Sequence, residues 1–471
     1  MSGLKRTLNL NTTIAIVIGG VIGSGIFMKP ALMASQLGSP LLLLSVWVVA
    51  GVISLCGALS NCELATMFPE TGGPFIFFQK IYGKGFSFVY GWAAFAVSNT
   101  AGNASIAFVC AEYVNYFIQL PHFSQATEMA HHFSIPYIGT IYFLKNFGVK
   151  LLTIVLILIL TGVNYRGVKE GGTLQRILTA MKVIAMIILV GGIFFSSNGS
   201  MHNIISASTN MPSGWALVGA YMAALSGAFW AYDGWNNITF VAGEIHEPQK
   251  NIPKGLFTGL LFCVIVYALI SLAYAYVLPI ESMSTSSFVA SDAARIAWGS
   301  IGGSIIALLV ILSTLGAANA NVLATARTTY AMGEENKWFG NAAKIQPQYK
   351  TPGNALIWNA IWTIVLILSG SFDMLTDMLV FVSWFFYGMS ALGVIILRIK
   401  MKDAHRSYKV WAYPIVPILF VAFVFFFLGS TLINDIRNYN SGASPIINSL
   451  LGIAITLVGI PVYYLSRKKI V

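Results

Sequence analysis

Two short stretches hold the residue types that could bind a small zwitterion. The first is Gly19-Gly20-Val21-Ile22-Gly23-Ser24-Gly25, four glycines in seven residues of an otherwise apolar run. Glycine lets a chain leave the helix and lets a ligand approach the backbone. A helix broken in hydrocarbon exposes N–H and C=O groups that need a ligand, water or protein partner. A half-helix starting near Gly25 would point free N–H groups and a positive dipole end at the gap, which suits a carboxylate. Gly19 and Gly23 alone also fit a small-residue packing face, but packing does not account for Gly23-Ser24-Gly25. A dinucleotide fingerprint is excluded, because the third glycine and the preceding strand are missing.

The second stretch is Trp230-Ala231-Tyr232-Asp233-Gly234-Trp235. Asp233-Gly234 is poor helix material, and a carboxylate at mid-membrane is expensive. Unwound carbonyls there, with Asp233, suit a cation such as an ammonium group. Trp230 and Tyr232 bring rings that could close over a ligand. An anion end at Val21 to Gly25 and a cation end at Trp230 to Gly234 together match the charge pattern of a free α-amino acid.

Lys182 is the third candidate, the one basic residue read as lying deep in an apolar helix. Snorkelling is its bland explanation; an intramembrane ionisable residue is otherwise a functional one. It would serve as a proton carrier or as a fixed ammonium in place of a sodium ion. Glu63 is a weaker candidate because the inner boundary is near. Asn99, Asn103, Ser313, Thr314 and Asn319 could line a pathway, though helix-to-helix hydrogen bonding explains them equally well.

The elements that must position these residues are membrane helices. Hydrophobic residues are 57% of the 471 and charged residues 9%, against about 25% charged in a soluble protein. That excludes a water-coated globule, a disordered chain and a nucleic-acid binder. Apolar runs long enough to span lie near 11–35, 39–68, 83–117, 148–165, 176–195, 214–243, 252–279, 300–332, 354–371, 375–397, 410–432 and 446–466. With both termini cytoplasmic, Lys29, Lys145, Lys150, Arg295 and Arg437 fall outside, Lys182 falls within a span, and the other 21 of 27 basic residues fall inside, as the positive-inside rule requires. The two interrupted spans, 1 and 6, stand five places apart in the order of spans. That spacing marks an inverted repeat with its site at the bilayer midplane. The expected fold is therefore an all-α integral membrane protein of 12 transmembrane helices in a five-plus-five inverted repeat. Residues 1–196 form the first repeat, 214–397 the second, and 410–466 two peripheral helices.

The same residues resemble the amino acid–polyamine–organocation superfamily, and within it the L-type branch, whose bacterial members exchange neutral amino acids. The match is carried by Val21-Ile22-Gly23-Ser24-Gly25-Ile26-Phe27, Glu63-Leu64-Ala65, Phe68-Pro69-Glu70-Thr71-Gly72-Gly73, Lys182, Ala231-Tyr232-Asp233-Gly234-Trp235-Asn236, and Glu244 with Asn251-Ile252-Pro253. It implies a carboxylate on the N–H groups of Ser24 and Gly25 and an amine on the carbonyls of Val21, Trp230 and Asp233. Trp230 would be the outer gate, and Lys182 would bridge helices 1 and 5. Exchange, proton symport and a non-transporting sensor all remain compatible with it. Residues 118–147 hold no cysteine, so no disulfide-linked heavy chain is expected, and the segment reads as a solvated loop. Asp233 departs from relatives that are uncharged at this position. No cofactor, metal or nucleic acid is implied. The partners are an amino acid and the lipid bilayer of the cell inner membrane, and a monomer is compatible. An enzyme is disfavoured because the six histidines all fall in loops.

Overall fold

The computed structural model is nearly all helical and describes residues 6, 8–70, 72–167, 171–335 and 340–466, with backbone alone at 171–179, 181 and 335. Thr71 of the loop motif lies outside the described residues, as do Lys5, Lys169, Lys337, Arg467, Lys468 and Lys469 of the charge count and the Arg176 side chain.

The first span is two helices, α1 (Leu10–Val21) and α2 (Gly25–Leu37), bent by 43° at the break. α3 (Pro40–Met67) and a short α4 (Pro74–Tyr82) follow. The third span is α5 (Lys84–Ala93) and α6 (Thr100–Asn115), joined by a π-helical segment, Ala94–Asn99. Next come α7 (Gln125–Ala130), the strands β1 (His132–Ile135) and β2 (Gly139–Tyr142), α8 (Phe147–Arg166) and α9 (Gly171–Phe194). A short α10 (Met201–Ile205) leads to α11 (Gly214–Tyr232) and α12 (Asn237–Phe240). Then follow α13 (Pro248–Val277), α14 (Ile280–Thr285) and α15 (Val289–Glu335), the last with non-helical backbone at Gly299. The chain finishes with α16 (Gly353–Ser369), α17 (Phe372–Lys400), α18 (Ile415–Asn440) and α19 (Asn448–Ser466). Among the described residues nine helices are long and apolar enough to cross a bilayer, and the bent pair α1–α2 makes a tenth. Shorter apolar helices, Lys182–Phe194 and Gly353–Ser369, occupy the places of predicted spans 5 and 9.

These segments are helical because every backbone polar group in hydrocarbon must be paired within its own segment. Their ends carry the expected caps. Asn9 accepts Thr12 N–H at 3.0 Å, and Ser39 precedes Pro40 at the first position of α3.

The helices pack as two units that interleave along the chain. One comprises 1–73, 175–313 and 387–431; the other comprises 74–174, 314–386 and 432–471. Each draws on both predicted repeats. In the first unit α13 packs against both α1 and α3, while α2 packs on α11. Small residues allow the close approach: a Cβ on Gly259 would come within 2.7 Å of Val17. In the second unit α8 lies against α6 and α16, and α5 against α19.

The segment expected as a solvated loop is structured. β1 and β2 pair antiparallel, His132 opposite Tyr142, and the hairpin bonds the start of α19 through Thr140 N–H to Pro445 O (2.7 Å) and Ile447 N–H to Ile138 O (2.9 Å). Two lysines assigned to outer loops are buried as well. Lys150, 4% exposed, donates to the carbonyls of Tyr142, Phe143 and Leu368, so it ties the hairpin to the end of α16. Lys29 is 0% exposed, its stem lying along Gly227 of α11. Lys182 is therefore not alone as a buried base.

Candidate functional site

Both predicted breaks exist, and they meet within the first unit. Beyond α1, Ile22 is extended (φ −71°, ψ 90°), and α2 restarts at Gly25 with Ser24 as its N-cap. Beyond α11, Asp233 is extended (φ −63°, ψ 156°) and Gly234 is left-handed (φ 99°). A Cβ on Gly234 would lie 2.5 Å from the Gly20 carbonyl oxygen, and one on Gly20 would lie 2.9 Å from that of Gly234. Backbone meets backbone here, and a side chain fits at neither position.

Gly25 and Gly23 have different jobs. The space above Gly25 is filled by Ala231, whose Cα would be 2.5 Å from a Cβ there. The bare backbone at Gly25 thus serves helix packing rather than ligand approach. Gly23 is the open position, with only Val21 O near a Cβ, at 3.8 Å. The first hydrogen bonds of α2 run from Phe27 and Met28 N–H to Ser24 O at 3.1 and 3.3 Å. The N–H groups before them are those that a helix start leaves over. Ser24 is 2% exposed, and its hydroxyl has no partner among the described residues.

Tyr267 of α13 pins the two breaks together. Its hydroxyl lies 2.8 Å from Val21 O and 3.1 Å from Ala231 O, carbonyls in the last turns of α1 and α11. Tyr232 turns away from the gap. It is 0% exposed, donates to Trp47 O at 2.9 Å, and its ring packs with Trp47 and Tyr267. Its ring is packing, and only its backbone belongs to the break. Trp230 is 8% exposed. Asp233 is half-buried and accepts a 2.7 Å hydrogen bond from Tyr387 of α17, whose ring lies 4.9 Å from that of Trp235. Just beyond, Asn236 accepts from Asn61 of α3.

Lys182 is 5% exposed and lines a cavity of about 40 Å³ with Phe27, Met186, Leu189, Val310 and Ser313. Its Nζ and the Ser313 hydroxyl have no hydrogen-bond partner among the described residues. The bridge expected between helices 1 and 5 is therefore not a hydrogen bond from Nζ among the described residues. The cavity reaches α2 at Phe27, one turn beyond Ser24.

Glu63 is an anchor. At 1% exposure it accepts Arg398 Nε and Nη2, both at 2.7 Å, and Val410 N–H at 2.9 Å. Arg406 Nε is an ion-pair partner at 3.2 Å, without the alignment of a hydrogen bond. Burial and then the neighbouring Cys62 and Glu63 raise the Tyr408 phenol above its ordinary range, so it stays neutral.

A family model described as amino acid permease matches residues 8–458. The chain belongs to the amino acid permease family. This permease is a multi-pass membrane transporter and not an enzyme. It is 30% identical to the serine/threonine exchanger SteT of Bacillus subtilis, over 99% of this chain and 98% of that one. It is 29% identical to the b(0,+)-type amino acid transporter 1 of Mus musculus, over 90% of this chain and 82% of the relative. Identity is also 29% to the mouse large neutral amino acids transporter small subunit 2, over 98% and 81%.

Two residues of this permease's candidate site were not read from its sequence. Tyr267 and Tyr387 lie in apolar runs, two tyrosines among 20. Their partners are 246 and 154 residues away, and no local spacing signals such a pairing.

Proposed function

We propose that this permease exchanges small or medium neutral L-amino acids by alternating access. The observation that carries this reading is the meeting of the two breaks. The helix start at Ser24-Gly25, with the Ser24 hydroxyl, offers donors to the substrate carboxylate. The carbonyl ends of α1 and α11 offer acceptors to its ammonium, which matches the helix-dipole ends. Val21 O already accepts from Tyr267, but a carbonyl oxygen has a second lone pair. In this reading Trp230 gates the pocket, and Lys182 couples α9 to α2 as a fixed charge. The likeness to an exchanger along nearly its whole length supports exchange over proton symport. Both termini are assigned to the cytoplasmic side of the plasma membrane from the loop charges. One mammalian relative is named as a small subunit. Here a disulfide-linked partner is not proposed, because residues 118–147 lack cysteine and Cys62, Cys110 and Cys263 are buried.

A second reading widens the substrate range. Asp233 is half-buried at the break, its donors are the neutral Tyr387 hydroxyl and Gly234 N–H, and among the described residues it forms no ion pair. A basic substrate side chain would supply the missing countercharge.

Purified protein in liposomes tests both readings. Uptake of labelled amino acid is expected only when the liposomes hold amino acid inside, with little response to a pH gradient. Uptake into empty liposomes driven by an inward proton gradient would replace exchange with symport.

A further inference from the structure

We propose that Tyr387 is a positioning residue that sets selectivity for basic substrates by aiming the Asp233 carboxylate. The inference rests on the reading of Asp233 as countercharge, and it concerns a residue of α17 that neither break contains. Ionisable side chains at membrane depth are rare, face the bundle interior and mark substrate or ion pathways. Among the described residues Asp233 has only neutral donors, a phenol and a backbone N–H. A basic side chain arriving beside it would supply the countercharge.

A charge is useful for discrimination only if it is held in place. The Asp233 backbone is closely packed, because Gly234 beside it is left-handed and leaves no room for a side chain against the Gly20 carbonyl. The side chain is held by Tyr387, which donates to Oδ1 at 2.7 Å, and by the Gly234 N–H. The tyrosine ring is itself fixed by the Trp235 ring at 4.9 Å. Charge-assisted bonds of this kind are short and directional.

α17 carries its own registration. Arg398 follows Tyr387 by eleven residues, about three turns, so the two share one helix face roughly 16 Å apart. The bidentate pair of Arg398 with buried Glu63 of α3 fixes the rotation and height of that face. The Glu63 anchor thus holds the helix that holds Tyr387, which holds Asp233.

The test measures lysine and leucine uptake into liposomes preloaded with amino acid, for wild type, Tyr387→Phe and Asp233→Asn. Phenylalanine keeps the ring against Trp235 and removes only the hydroxyl. Loss of one hydrogen bond to a charged group corresponds to about a tenfold change. The expected result is that Tyr387→Phe raises the KM for lysine about tenfold more than the KM for leucine, and that Asp233→Asn raises it further. A merely structural tyrosine would shift both constants together, and that outcome overturns the proposal. If Asp233→Asn alters the lysine-to-leucine ratio and Tyr387→Phe does not, only the role of Tyr387 falls. If neither alters it, or wild type carries leucine but no lysine, the countercharge reading of Asp233 falls too.

Discussion

At the scale of the residue, the helix 1 glycines separate into packing and approach. Gly25 is bare because Ala231 occupies its side-chain space, and Gly23 is bare toward open space. Alanine at the two positions should therefore have opposite signatures. Gly25→Ala forces α2 off α11, and overpacking of this kind costs about 1–3 kcal/mol. It should lower the melting temperature in detergent. Gly23→Ala meets no protein atom closer than 3.8 Å and should melt near wild type, while its methyl group crowds the substrate backbone and lowers uptake several-fold. Thermal melts and uptake on the same preparations decide this. Equal melts with normal uptake for both variants would remove the breaks from the site.

At the scale of the element, the segment from the end of α17 to the start of α18 is held by one buried carboxylate. Glu63 takes both Arg398 nitrogens and Val410 N–H, while Arg398 also lies 4.2 Å over the Tyr413 ring. Arg406, 5% exposed at its side chain, spends its other nitrogens on the carbonyls of Leu397, Met401 and Ala404. Breaking a buried ion pair from one side costs about 3–5 kcal/mol, because the partner charge is left uncompensated. Glu63→Gln should thus destabilise the protein strongly in a thermal melt and expose the 401–414 segment to protease. A melt within a degree of wild type would mean that the Glu63 ion pairs contribute little to holding this segment.

At the scale of the whole molecule, the loop charges make a statement about sidedness that labelling can check. Tyr137, 90% exposed at the hairpin turn, belongs to the side assigned outside, and exposed Ser407 belongs to the side assigned inside. The native cysteines are buried or half-buried, so they leave a low background. A membrane-impermeant thiol reagent on intact cells should label Tyr137→Cys and spare Ser407→Cys until the cells are opened. The reverse pattern would invert the topology.

Sequence by itself determined the membrane class, the place of nearly every span and both interruptions. Hydrocarbon demands unbroken apolar runs of fixed length, so a glycine cluster or an Asp-Gly inside one is conspicuous. Only the tertiary structure decided which groups the interruptions meet. Tyr267 and Tyr387 reach them from distant helices, Tyr232 turns its ring away, and Lys29 and Lys150 leave the loops for buried positions. The physical reason is that lipid tails are as apolar as a packed helix face. A membrane helix therefore lacks the polar stripe that, in water, would reveal which side faces the protein. The same uniformity hid how the helices group. An inverted repeat is an order along the chain, whereas the two interleaved units follow from side-chain shape, such as Gly25 under Ala231 and Gly259 under Val17.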